Sequence, residues 1–155
     1  MNSRRYLSYV ALAGLTAWLA VNAHPVKAGD LWLISPEEAA FAPAPEESLI
    51  RSRGLNNKGP RIDVLKPAED APQQSPLEIQ VRFYPNPAAV NPESVKVQLV
   101  KFISIDITDR VKPYLSETGI NVKEANIPSG THLVRITVSD GKGETNSREI
   151  ELQVR

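Results

Sequence analysis

The chain has 155 residues, with 18 basic and 18 acidic side chains, 13 prolines, 6% aromatics and no cysteine. Zero formal charge argues against a dedicated nucleic-acid binder, because neutralising phosphates needs a basic surplus. The lack of cysteine excludes a disulfide framework, a thiolate metal site and a thiol nucleophile, and the many prolines suit turns and extended segments better than a helical bundle.

Residues 1–28 read as a signal peptide. "MNSRRYLSY" brings Arg4 and Arg5 with no acid, and "VALAGLTAWLAV" (Val10 to Val21) is a continuous apolar run. Twelve residues match a signal-peptide core and are too few to span a bilayer comfortably. Small residues stand at −3 and −1 of two cleavage points, after Ala23 and after Ala28. The second leaves a polar stretch of ordinary length and is preferred. The expectation is a protein of the periplasm or the medium, without a membrane anchor after cleavage. Arg4, Arg5 and Lys27 fall in the removed part, so 15 basic and 18 acidic residues remain.

Residues 29–59 read as an extended leader. "APAPEES" (Ala42 to Ser48) is a Pro/Ala spacer and "RSRGLNNKG" (Arg51 to Gly59) a polar, glycine-punctuated link. "DLWLISPEEAAF" is the exception. Leu31, Trp32, Leu33 and Ile34 form an apolar cluster, and Ser35-Pro36-Glu37-Glu38 is a helix start with proline at its first position. Two readings of the cluster stand level. It docks on a protein partner, or it packs back onto its own domain.

From Pro60 the pattern changes to short alternating strands between turn residues. "RIDVLKP" sets Ile62 and Val64 on one face. "PLEIQVRFYP" does so with Leu77, Ile79, Val81 and Phe83, and "ESVKVQLVKF" with Val95, Val97 and Leu99. "FISIDIT" spaces Ile103, Ile105 and Ile107 by two, "GINVKEANIP" follows, and the last hairpin pairs Val134, Ile136 and Val138 with Ile150, Leu152 and Val154. Seven strands with one wet face each, over residues 60–155, predict an all-β fold: a single antiparallel β-sandwich. "DITDRVKPYL" (Asp106 to Leu115) reads as a helical turn crossing between the sheets, limited by Pro113.

Two stretches, "FYPNPAAVNPESVKVQL" and "IPSGTHLVRITVSDGKGE", together with the strand–turn rhythm, resemble bacterial immunoglobulin-like domains of exported proteins. The resemblance implies an Ig-like sandwich over residues 60–155. It leaves the role open among adhesion, scaffolding, ligand binding and linkage. Asp140-Gly141 and Gly143 are expected to supply positive φ angles for a tight last hairpin. Antibody-type features are missing, since there is no cysteine pair and Trp18 and Trp32 both precede the domain.

No constellation points to an enzyme. His132 is the one histidine after Ala28, at the start of a strand, where a turn or edge position is the ordinary reading. "SDGKGE" joins two strands and no helix follows to receive a phosphate. Calcium would draw on Glu69, Asp70, Asp106, Asp109 and Asp140, which follow no calcium-loop spacing and read as caps and turn formers. A sharper metal alternative uses His24. Cleavage after Ala23 would make it the first residue, so amino terminus and imidazole would chelate Cu(II), with His132 as a third nitrogen. The sequence therefore favours a non-enzymatic binding or structural module with no cofactor, facing a protein partner in the cell envelope through Leu31, Trp32, Leu33 and Ile34.

Overall fold

The computed structural model describes residues 32–45, 58–68 and 71–155. The signal-peptide reading, His24, Leu31, Glu69, Asp70 and most of the polar link lie outside the described residues.

Alternation of apolar and polar side chains builds eight strands: β1 (Arg61–Lys66), β2 (Leu77–Tyr84), β3 (Val90–Leu99), β4 (Ile105–Asp106), β5 (Leu115–Ser116), β6 (Gly119–Ala125), β7 (Gly130–Asp140) and β8 (Thr145–Val154). They form two four-stranded antiparallel sheets, ordered β1-β2-β6-β5 and β4-β3-β7-β8. The molecule is a β-sandwich. Ile79 pairs with Val122 and Val81 with Ile120 in one sheet, and Val97 pairs with Ile136 and Val134 with Ile150 in the other. All eight are buried, so the two inner faces meet as one apolar core.

The crossover between sheets is helical, as the sequence indicates. Helix α2 (Thr108–Val111) passes directly into a 3-10 turn (Lys112–Tyr114), with Val111 buried and Pro113 in the tighter turn. Asp106 orders its entry by accepting from the Thr108 N–H at 2.9 Å. "FISIDIT" is only partly a strand. Ile105 and Asp106 pair with β3, Ile107 is buried, and Ile103 stands in an exposed loop. Gly119, at φ 146°, lies so close to the Val81 carbonyl that a side chain there would collide with backbone.

The largest correction concerns the leader. Its described part, residues 32–45, is no spacer but part of the fold. Leu33 and Ile34 are 3% and 0% exposed and belong to the same core cluster as Val97, Val111 and Val122. Leu33 joins this core beside the end of β6, where its N–H donates to the Asn126 carbonyl.

Candidate functional site

The end of the sandwich closed by residues 32–45 gathers the features that no strand-packing rule accounts for. Helix α1 (Pro36–Ala39) is a single turn held by a complete capping box. The Glu38 N–H donates to Ser35 Oγ at 3.3 Å, and the Ser35 N–H donates to Glu38 Oε2 at 2.9 Å. Pro36 at the first position needs no acceptor.

Glu38 then reaches across the chain. Arg110 of α2 donates from Nη1 to Oε2 and from Nη2 to Oε1, both at 2.6 Å, and from Nη1 to the Leu33 carbonyl at 2.9 Å. The guanidinium holds the Glu38 carboxyl below its ordinary range and is itself raised by that carboxylate.

Backbone contacts complete the fastening. The Leu33 N–H donates to Asn126 O at 3.0 Å in the β6–β7 turn, beside a parallel bridge from Trp32 to Asn126. At the other end Pro43 bridges to Lys101, and the Phe102 N–H donates to Ala42 O at 2.9 Å. Lys101 is buried, and its Nζ donates to Ala39 O at 2.9 Å, among the last carbonyls of α1.

His132 lies beneath this end. It pairs with Leu152 on the core face of β7 and is buried, which corrects the turn-or-edge expectation. The alternation that turns Val134 and Ile136 inward turns His132 inward too. Its Nε2 is 2.9 Å from Pro128 O, the geometry of an N–H donor, and its Nδ1 is buried with no partner. Burial, and then the charge of Lys101, push the imidazole below its ordinary range, against the pull of the Pro128 hydrogen bond.

Exposed apolar surface collects on the same end. Phe102 and Ile103, in the β3–β4 loop, are 70% and 73% exposed. Phe41 is 58% exposed and precedes Ala42, the acceptor for the Phe102 N–H. Behind them a groove of about 240 Å³ is lined by Pro43, Ala44, Lys101, Leu133, Glu149 and Glu151, among others.

The sequence-predicted site residues separate accordingly. Leu33 and Ile34 are spent on the protein's own core, which corrects their assignment to a partner. Trp32 is half exposed beside Asn126, and Leu31 lies outside the described residues. His132 is engaged with Pro128, and His24 is outside the described residues. Of the calcium acids, Glu69 and Asp70 lie outside the described residues, and the three that are described are not brought together. Asp106 and Asp109 face Lys96 and Lys112, while Asp140 is buried in the β7–β8 hairpin. Among the described residues no group of three His, Asp or Glu side chains converges, and no helix is long and apolar enough to cross a membrane.

Sequence reasoning missed Glu38, Lys101 and Arg110 as a set. Glu38 at the third position of a capping box was a visible signal, whereas its pairing with a residue 72 positions away was not.

No family model and no curated protein matches this chain. Among solved structures, the crystal structure of CopC from Methylosinus trichosporium OB3b is similar to it at 14% identity with a TM-score of 0.37, covering 61% of this chain and 93% of that one. Likeness at that level carries no argument about what this chain does.

Proposed function

We propose that the protein is an exported, non-enzymatic binding module, an Ig-like sandwich that presents one end to a protein partner in the cell envelope. The strand order supports the Ig-like reading. Taken as A, B, C, C′, D, E, F and G, the strands fall into sheets A-B-E-D and C′-C-F-G, the immunoglobulin arrangement.

The observation that carries the binding role is the patch of Phe41, Phe102 and Ile103. Two of the three stand at a loop tip, more than two-thirds exposed, and the third is brought beside them by the leader. Large apolar side chains gathered in the open mark interaction surfaces, and aromatics are the usual anchors there. This patch replaces Leu33 and Ile34 as the docking surface, and half-exposed Trp32 lies on the same leader. The test is a pull-down from the envelope fraction with wild type and the double variant Phe102→Ser/Ile103→Ser. A partner retained by the wild type and lost by a variant of unchanged melting temperature supports the reading. Equal capture by both overturns it.

A further inference from the structure

We propose that His132 and Lys101 form an acid-sensitive latch under residues 32–45, and that protonating the buried imidazole loosens this segment's hydrogen bonds to the sandwich.

The geometry admits one form of the ring. Nε2 carries the hydrogen and gives it to Pro128 O, while Nδ1 is buried with no partner. A second proton would place both a donor and a charge where no acceptor waits, and a buried ion without a partner is strongly disfavoured.

The surroundings offer no compensation. Pro128 O comes from the β6–β7 turn and Leu152 from β8. The charge that acts on the ring from the β3–β4 loop is that of Lys101, a cation. On β8 the nearest carboxylates in sequence, Glu149 and Glu151, belong to the opposite face of the sheet, where they pair in register with Arg135 and Leu133. On the leader, Glu38 is committed to Arg110. Protonation would therefore set two cations together under the segment.

Each of the two groups braces one part of the segment's dock. His132 holds the turn whose Asn126 carbonyl receives the Leu33 N–H. Lys101 holds Ala39 directly, and its neighbour Phe102 holds Ala42. A disturbance between them acts on both ends of a segment that Leu33, Ile34 and the Glu38–Arg110 pair still hold, so it weakens the dock's backbone hydrogen bonds without expelling the segment. Its regular structure is a single helical turn, and it depends on docking for stability. Histidine titrates within the range an exported protein can meet. The latch does not depend on the docking reading.

The experiment is hydrogen–deuterium exchange on the full exported chain from pH 7.5 to pH 4.5, corrected for the intrinsic pH dependence of exchange, alongside NMR titration of the His132 ring. The expected result is at least a tenfold loss of protection at the Leu33, Ala39 and Ala40 amides as the ring protonates, with β3 and β7 amides still protected. In His132→Gln, which keeps an N–H donor and does not titrate, protection should stay level over the same window. Unchanged leader protection in the wild type overturns the proposal, as does the same loss in His132→Gln or simultaneous loss across the sandwich. Should the variant fail to fold, the wild type still decides. A midpoint of protection loss that differs from the ring's titration midpoint sinks the latch, and coincidence supports it.

Discussion

Glu38 and Arg110, 72 residues apart, meet through two parallel hydrogen bonds of 2.6 Å and tie the leader's single helical turn to the crossover helix between the sheets. Arg110 also holds the Leu33 carbonyl, so one guanidinium fixes both the backbone and the side chain of the leader. Bidentate geometry is what lysine cannot reproduce. Arg110→Lys and Glu38→Gln are expected to cost about 1–2 kcal/mol each, the range for hydrogen bonds to charged groups at a partly exposed site. Their double-mutant cycle in urea unfolding should show clear coupling; strict additivity would mean that the pair contributes nothing to holding the leader.

The pH dependence of stability follows from the same end of the molecule. Folding lowers the Glu38 carboxyl below its unfolded value, so its contribution is complete above that value and is lost as pH falls through the folded one. Folding lowers the His132 imidazole below its unfolded value of about 6.5. The neutral form's advantage is thus complete above about pH 6.5 and is lost on descending to the folded value. Both signs agree. Stability should fall in acid in two stages, histidine first and carboxylate second, and urea midpoints measured from pH 8 to pH 3 should show it. In His132→Gln only the lower stage should remain.

Ile136 tests the strand faces. It is buried opposite Val97 in the sheet register, at the centre of the inner face. Ile136→Asp would place an unpaired charge there and is expected to abolish cooperative melting. Thr137, next along the strand, belongs to the outer face, where its hydroxyl meets Ser147 Oγ at 2.8 Å. Thr137→Asp should therefore still give a cooperative transition by circular dichroism.

The sandwich was legible because period-two alternation is written into each strand and is read locally. Leu77 to Phe83 and Val134 to Val138 appear in the sequence with the faces the structure gives them. The helix start at Ser35-Pro36 was legible because it too is written locally. The exceptions turn on longer-range relations. Ile103 continues an alternating pattern but lies in a loop, because β4 has only the length of Ile105–Asp106 to pair with β3. His132 is buried because it shares the inward register of Val134, although a polar side chain at a strand start suggests an edge. The hairpin glycines were half right. Gly143 has a positive φ and Gly141 does not, because the Asp140 carboxylate closes the loop by accepting from the Lys142 and Glu144 N–H groups. No local pattern could decide between a partner and its own domain for Leu33 and Ile34. That depended on a core built by strands that come later in the chain.

Asp140 therefore carries the hairpin. Its Oδ1 accepts at 2.8 Å and 2.9 Å from the two loop amides, while Oδ2 is buried without a partner. Asp140→Ala would leave those amides unsatisfied and is expected to cost about 1–3 kcal/mol. Asp140→Asn keeps one acceptor oxygen and should cost less. An alanine variant as stable as the wild type in thermal melts would show that water serves the loop equally well.

The leader gives the prediction with most at stake, because the sequence left its sign open. Residues 29–50 read from sequence as a tether would leave the melting temperature unchanged when deleted, and a chain starting near Gly59 would fold alone. The burial of Leu33 and Ile34 points the other way in both cases. Deletion removes Leu33 and Ile34 from the core, and large-to-small losses at such sites cost about 2–5 kcal/mol each. It also strips Arg110 and Lys101 of their partners, leaving the buried Lys101 ammonium without its acceptor. Set against the roughly 5–15 kcal/mol that holds a domain of this size, such losses are severe. The truncated sandwich is expected to melt at least 10 °C lower or to remain unfolded, since about 1 kcal/mol moves a small domain by several degrees. Ile34→Ala in the full chain should reproduce part of the fall, whereas Phe41→Ser, on the exposed side of the same segment, should leave the melting temperature within about a degree, as surface substitutions usually do. A deletion that melts like the full chain would mean that the leader's burial contributes no stability, and the docked segment would have to be given up.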